Sequence, residues 1–385
     1  MMAEQNAPNQ VARSNAQPIR LGVIFGGRSG EHEVSLMSAR SVLGALDAAR
    51  YTVTQIGITH AGEWFTGSNV LQAMLDGHLE GLTPAAILPD PSRPGVYAIK
   101  DGVLELLAAL DVVFPVLHGS FGEDGTLQGL LELADVAYVG AGVLGSAVAM
   151  DKGVFEAVMR AHGIPVVETL VVLRSALEKD MQAVVEQAAR VAPFPLFVKP
   201  ANLGSSVGIT KCLGHSDLLE GLMHAARYDR RILIQRGVGG HTRPREIEVS
   251  VLGNDDPQAS LPGEVLPSRE FYSYESKYVD GTSRLLIPAP ISPELTERVR
   301  RLAVQAYQAI DCAGMARVDF LLDPHTDELY LNEINTIPGF TEISLYPKLW
   351  ETMGLPYPAL VDRLVELALE RKAERDRIER RYQQG

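Results

Sequence analysis

Short apolar runs that end in glycine alternate with stretches of helical spacing through the first third of the chain. Residues 20–25 close on Gly26-Gly27, and residues 111–117 close on a second glycine-rich turn. Helical spacing follows each, over 34–49 and 126–134, while 51–58 and 137–139 read as further strands. Strand, turn and helix in alternation predict an open, mostly parallel α/β sheet over residues 20–139. Residues 66–94 hold several glycines and prolines and predict hairpins and loops.

A second unit is expected over residues 140–235. It begins with an amphipathic helix at 151–162 (Val154, Phe155, Val158, Met159) stopped by Gly163 and Pro165. A strand at 166–173, a helix at 178–191, a strand at 196–199 running into a Gly/Ser loop at 201–208, and a strand at 232–235 complete it. A third unit, 236–372, opens with a polar connection at 237–245 and a strand at 246–252. A charged, aromatic loop at 269–283 has neither period. An amphipathic helix at 292–310 and strands at 316–322 and 328–335 follow. The flanks, 1–19 and 373–385, read as a disordered leader and a charged tail, and the Glu/Arg-rich stretch 366–381 as a solvated helix. The fold class is α/β with α+β units.

Composition narrows the function. The 385 residues carry a net charge of -13, which disfavours nucleic acid or an anionic membrane as partner but allows a nucleotide in a local basic pocket. Cys212 and Cys312 lack metal or redox spacing and fit a reducing cytoplasm. No apolar stretch approaches a membrane span, and the polar start has no signal-like apolar core.

Four constellations carry chemistry. Arg317 and Asp319 share one face of their strand, as do Glu333 and Asn335. If Leu322 pairs with Glu328 across the turn, all four converge. Hard oxygens so grouped suit Mg²⁺, and Arg317 suits an anionic phosphate or tetrahedral centre; the alternative is a surface salt-bridge face. Lys199, followed by Gly204-Ser205-Ser206-Val207-Gly208, can hold phosphate oxygens, although the P-loop spacing is absent and a flexible linker is the alternative. Lys152 at a helix start is a second candidate phosphate contact, or else an ordinary exposed lysine. Gly26-Gly27-Arg28-Ser29-Gly30-Glu31 fails the dinucleotide spacing, so Glu31 is read as holding a substrate ammonium, or else as a helix cap. His118, in a glycine-rich turn, contacts a carboxylate or is a hydrogen-bonded loop residue.

In combination the motifs resemble the D-alanine–D-alanine ligase family of the ATP-grasp superfamily, from about Arg20 to Leu369. They include Glu31-His32-Glu33-Val34-Ser35, His118-Gly119, Ala149-Met150-Asp151-Lys152, Phe271 to Tyr278, and Asn332-Glu333-Ile334-Asn335. The resemblance implies a two-part ATP-grasp fold behind the N-terminal domain, and ATP-dependent joining of two D-alanines through a D-alanyl phosphate for peptidoglycan precursor synthesis. It implies a pair of Mg²⁺ ions, with Mn²⁺ able to substitute, held by Asp319, Glu333 and Asn335. Lys152, Lys199, Ser206 and Lys277 are the implied phosphate contacts. Gln235 and Val238 lie on the adenine side, and Glu246 on the ribose. Arg317 and Gly339 stabilise the tetrahedral intermediate. Glu31 and His118 serve the first D-alanine, while Ser344 and Leu345 serve the second. Ser205 and Tyr278 link the Gly/Ser loop to the lid at 269–283. A cytoplasmic homodimer is expected. Gln235 stands where many relatives have Glu, and residues 239–244 form a longer connection than usual. The rival readings are a D-alanine–D-lactate ligase, which Tyr278 disfavours, and an inactive nucleotide-binding regulator.

Overall fold

Every residue from Leu21 to Gly26 is buried, as a parallel strand covered on both faces requires. This strand, β1 (Ile19–Gly26), pairs in parallel with β2 (Tyr51–Ile58) and β7 (Val112–Val116), and β7 with β8 (Ala137–Tyr138). The computed structural model describes residues 17–266 and 284–379. Its first sheet has the order β6-β5-β4-β3-β2-β1-β7-β8. The parallel character ends at β2. Strands β3 (Trp64–Thr66), β4 (Thr83–Ile87), β5 (Val96–Lys100) and β6 (Val103–Ala108) extend the sheet antiparallel. Connections such as β2–β3 and β5–β6 are too short for a crossover, so their strands must reverse. Helix α1 (His32–Ala45) follows β1, and α2 (Val70–Asp76) is a short helix inside the stretch expected to hold only hairpins and loops. Helix α3 (Thr126–Leu133) follows the second glycine-rich turn.

Helices α4 (Val143–Met150) and α5 (Lys152–Ala161) lead into a four-stranded antiparallel sheet of order β11-β10-β12-β9. It is built from β9 (Thr169–Leu173), β10 (Leu196–Pro200), β11 (Thr210–Cys212) and β12 (Arg231–Arg236). The single helix expected at 178–191 is two, α6 (Arg174–Lys179) and α7 (Met181–Ala188), because the Asp180 carboxylate accepts from Ala183 N and starts a new helix. Helix α8 (His215–Ala225) packs on this sheet.

The third sheet runs β16-β15-β13-β17-β18, with β14 (Gln258–Ala259) beside β13. Its strands are β13 (Arg245–Gly253), β15 (Gly263–Leu266), β16 (Arg284–Leu286), β17 (Gly314–Leu322) and β18 (Leu329–Asn335). Helix α9 (Pro293–Ala309) starts where expected, with proline in its first turn and the Ser292 hydroxyl accepting from Leu295 N. Helices α10 (Leu345–Thr352) and α11 (Tyr357–Arg375) end the described chain.

Two expectations are corrected here. Leu322 pairs with Leu329 rather than Glu328, and the register slips once more between Asp319 and Phe320. Asn332 and Glu333 therefore both face Asp319 across a β-bulge, and Arg317 lies opposite Asn335. The four residues share a face, but by a different register. The basic residues of α11 are also more than solvated charges. Leu360, Val361, Leu364 and Val365 join the core of the first sheet beside Leu21 and Phe114. Arg371 donates to Gly140 O at 2.6 Å and lies 4.3 Å from the centre of the Tyr138 ring, and Arg375 pairs with Asp135 at 3.1 Å. Their stems cover apolar surface while their heads tie the last helix to the first domain. Among the described residues no helix is long and apolar enough to cross a membrane.

Candidate active site

Two cavities meet between the three sheets. The larger, about 420 Å³, lies between β10–β12 and β13–β17, with Phe197, Lys199, Gln235 and Val238 on one side and Glu246 and Phe320 on the other. The smaller, about 50 Å³, is walled by Glu31, His118, Gly119, Arg317, Asn335 and Gly339. Lys152, Gly204, Ser205 and Glu333 line both.

The lysines come from a strand end and a helix start. Lys199, on β10, is 5% exposed, and burial lowers its ammonium to about 8, opposed by the carboxylate of Glu156. Lys152, first in α5, donates to Leu203 O at 2.9 Å and lies 3.4 Å from Glu333 Oε2. Its helix start is fixed by Asp151, whose side chain accepts from Gly153 N and Val154 N. Ser205 and Ser206 adopt left-handed backbone at φ 50° and 60°. That conformation is costly for residues with a side chain and is common where a loop must grip a ligand. Ser206 lines the larger cavity.

The carboxylate face is tightly paired. Arg317 donates to Asp319 through Nε at 2.8 Å and Nη2 at 2.7 Å, and its Nε lies 2.8 Å from Glu248 Oε2. Asn335 Nδ2 donates to Asp319 Oδ2 at 3.0 Å. Among the described residues no three His, Cys, Asp or Glu side chains are grouped closely enough to form a metal shell by themselves.

In the smaller cavity Glu31 occupies the position that caps α1, yet its side chain makes no capping bond. Instead the Ser205 hydroxyl donates to its carboxylate, across from the second sheet. A side chain at Gly119 would meet Glu31 Oε2 at 2.6 Å, so the turn needs glycine both for space and for its φ of +71°. His118 Nδ1 donates to Ile337 O at 2.8 Å, and Nε2 lies 3.0 Å from Ser38 Oγ, so both nitrogens are engaged. Burial lowers its pKa and favours the neutral ring this pattern needs. Glu123 accepts from Gly119 N at 2.8 Å and Ile337 N at 2.9 Å. Burial and the charge of Glu31 raise it to about 8. These bonds fasten the loop bearing Gly339 onto the first domain.

The structure thus gathers Glu31, His118, Lys152, Lys199, Ser205, Ser206, Gln235, Val238, Glu246, Arg317, Asp319, Glu333, Asn335 and Gly339 around the joined cavities. Ser344 and Leu345 line neither. They open α10, and the Leu345 side chain packs with Val265 and Leu349, leaving its backbone at the helix start. Lys277, Tyr278 and the loop at 269–283 lie outside the described residues. Sequence reasoning missed Glu248, whose place two residues after Glu246 on one strand face could have flagged it. It also missed Glu156, buried at 3% exposure and accepting from Gln235 Nε2, and Glu123. No local signal marks Glu156 as a site residue, whereas Glu123 lies in the glycine-rich turn 118–125 that carries His118.

The shared wall decides the class. A ligand that filled the larger cavity as far as Lys152 and Glu333 would stand beside the occupant of the smaller one, an arrangement suited to an ATP-grasp ligase that activates a carboxylate by phosphorylation. Family models described as D-ala D-ala ligase N-terminus and C-terminus match residues 20–141 and 158–366. The chain belongs to the D-alanine–D-alanine ligase family. It is 50% identical over 361 residues to the D-alanine–D-alanine ligase of Thermoanaerobacter pseudethanolicus, covering 93% of this chain and 98% of the relative. To that of Heliobacterium modesticaldum it is 48% identical over 357 residues, covering 93% and 96%. The solved D-alanine–D-alanine ligase from Coxiella burnetii superposes with a TM-score of 0.79 at 38% identity, covering 93% of this chain and 97% of that one. The VanG D-Ala:D-Ser ligase from Enterococcus faecalis superposes with a TM-score of 0.81 at 34% identity, covering 91% and 100%.

Proposed function

We infer how these residues divide the work of ligation. The protein is an ATP-dependent enzyme that joins two D-alanines through a D-alanyl phosphate, a step of peptidoglycan precursor synthesis. A carboxylate is a poor electrophile, and phosphorylation gives it a leaving group. Glu31, held by Ser205, receives the ammonium of the first D-alanine. The carboxylate of that substrate then lies at the shared wall, where Lys152 and Lys199 steady the phosphates of ATP. The amine of the second D-alanine attacks the acyl carbon and phosphate departs. Arg317, fixed by Asp319 and Glu248, and the backbone N–H of Gly339 stabilise the oxyanion. Ser344 and the Leu345 N–H receive the second carboxylate at the start of α10. Gln235 and Val238 flank adenine, and Glu246 takes the ribose. Tyr278 and Lys277 belong to the covering loop.

The donor set fits Mg²⁺, with Mn²⁺ as substitute. Asp319, Glu333 and Asn335 offer two carboxylates and one amide oxygen, too few for a closed protein shell but suited to a cation that completes its coordination with phosphate oxygens. Such ions neutralise phosphate charge during transfer. The single observation that carries the whole reading is the wall common to both cavities. The smaller volume supports a small first substrate.

The three sheets support a division at residues 20–139, 140–235 and 236–372. The enzyme is cytoplasmic and a homodimer. Strand β6 supports the dimer, because it is a sheet edge with Val103, Leu104, Leu106 and Leu107 each 44–59% exposed, and such an edge needs a cover. The test of function is phosphate release with D-alanine, L-alanine, D-serine or D-lactate offered alone and as second substrate beside D-alanine. Rapid release with D-alanine alone, and dipeptide as product, is expected. Turnover that needs D-lactate or D-serine as second substrate would overturn the assignment. Sedimentation of Leu106→Asp tests the dimer: a monomer is expected.

A further inference from the structure

The connection between β12 and β13 is folded and anchored. Thr242 N donates to Gly239 O at 3.0 Å, closing a tight turn in which Gly239 and Gly240 take φ of +75° and +61°. A side chain at Gly239 would meet Thr242 O at 2.6 Å. Gly239 N donates to Asp323 Oδ2 at 3.1 Å, and Asp323 also receives His325 N at 2.9 Å in the β17–β18 turn. One carboxylate thus ties the connection to the end of the hairpin that carries Asp319 and Glu333.

The anchored turn aims a guanidinium into the cleft wall. His241, Thr242 and Arg243 line the larger cavity beside Glu246. Arg243 Nη2 donates to Glu246 Oε1 at 2.8 Å, with the two side chains 33% and 24% exposed. A glutamate at the start of an edge of the cleft has several rotamers, and only some present both oxygens to a ribose. A guanidinium holding one oxygen fixes the carboxylate and leaves the other free to accept.

We propose that Arg243 is a positioning residue for nucleotide recognition: it fixes the carboxylate of Glu246 so that this accepts hydrogen bonds from the ribose hydroxyls of ATP, making the 239–244 connection a selector for ribonucleotides. The inference rests on the reading that Glu246 takes the ribose. Its chemistry is the vicinal diol. A nucleotide lacking both hydroxyls cannot use the fixed carboxylate and gains nothing from Arg243.

The experiment compares ATP with 2′,3′-dideoxy-ATP in wild type, Arg243→Ala, Arg243→Lys and Glu246→Gln, reading KM for each nucleotide, kcat, and melting temperature. In wild type ATP is preferred. Arg243→Ala is expected to raise KM for ATP roughly threefold to tenfold, in line with a charge-assisted hydrogen bond partly lost. It should leave KM for the dideoxy nucleotide and for D-alanine nearly unchanged, so the preference collapses. Arg243→Lys, which keeps one donor, should restore part of it. Equal increases for both nucleotides, or none, would overturn the proposal. Glu246→Gln separates the two readings. If it keeps the wild-type preference, the ribose assignment itself fails. If it abolishes the preference while Arg243→Ala keeps it, only the positioning role fails.

Discussion

The larger cleft holds about 420 Å³ between two sheets, and much of its rim is connection rather than strand; the smaller cavity holds about 50 Å³, and its polar groups are cross-tied. Glu31 is held from the second sheet by Ser205, His118 by Ser38 and Ile337, and Glu123 by Gly119 and Ile337. In the proposed reading the cleft admits and releases a flexible nucleotide every turnover, which its cations and room suit. In the same reading the small cavity tells one amino acid from another, and its cross-ties make it rigid and close-fitting before substrate arrives. Room for the nucleotide is built in one place and selection among amino acids in the other.

The wall between them is where both can be broken at once. Glu333→Gln should lower kcat on the order of a hundredfold or more, as removal of charge from a phosphoryl-transfer site does. The fold should survive, because Glu333 is only half-buried. Near-normal turnover at saturating Mg²⁺ would remove Glu333 from the metal set.

Gly119→Ala should strike the small cavity alone. The new methyl would press on Glu31 Oε2 and the turn would keep an unfavourable φ. KM for D-alanine should rise tenfold or more, for a cost of about 1–2 kcal/mol from the backbone alone, with KM for ATP unmoved. Parallel rises in both constants would mean the cavities are not separable.

The two regions should answer oppositely to pH. Lys199 is positive below about 8 and neutral above, so the cleft loses a cation as pH rises. Glu123, also near 8, becomes negative over the same range and adds charge beside Glu31. Affinity for ATP should therefore fall several-fold between pH 7 and 9, while affinity for the ammonium of D-alanine holds or improves. Isothermal titration with a non-hydrolysable ATP analogue reads the first, and Lys199→Arg should flatten it.

The gentlest change is Gln235→Glu. Burial already raises the carboxyl of Glu156, its partner. One of two adjoining carboxyls can keep the proton and donate to the other, so KM for ATP should shift no more than about threefold. A larger shift would make the amide itself part of adenine recognition.

Much of this was legible in the sequence because it is periodic or punctuated. Glycine-terminated apolar runs marked the strands of the parallel core, and the i, i+2 spacing placed Arg317 with Asp319 and Glu333 with Asn335. What was hidden has no local signature. The α6–α7 break depends on one aspartate choosing to cap. The engagement of His118 depends on Ser38 and Ile337, which lie 80 and 219 residues away. The role of α11 depends on a sheet more than two hundred residues earlier in the chain.

Strand β18 counts its residues unevenly. Its buried positions fall at Leu329, Leu331 and Ile334, a step of two and then a step of three. The extra unit is Asn332. Before this pair of outward neighbours, Asn332 and Glu333, removing one residue would invert what lies beyond it and turn Glu333 or Asn335 toward the core. At Asn332 the arithmetic forgives: without it the inward positions become evenly spaced, and Glu333 and Asn335 still face Asp319 and Arg317. The bulge at Asn332 and Glu333 is therefore the place where chain length can vary without changing parity, and deletion of Asn332, which spares the carboxylate, should test the twist of the strand rather than its facing.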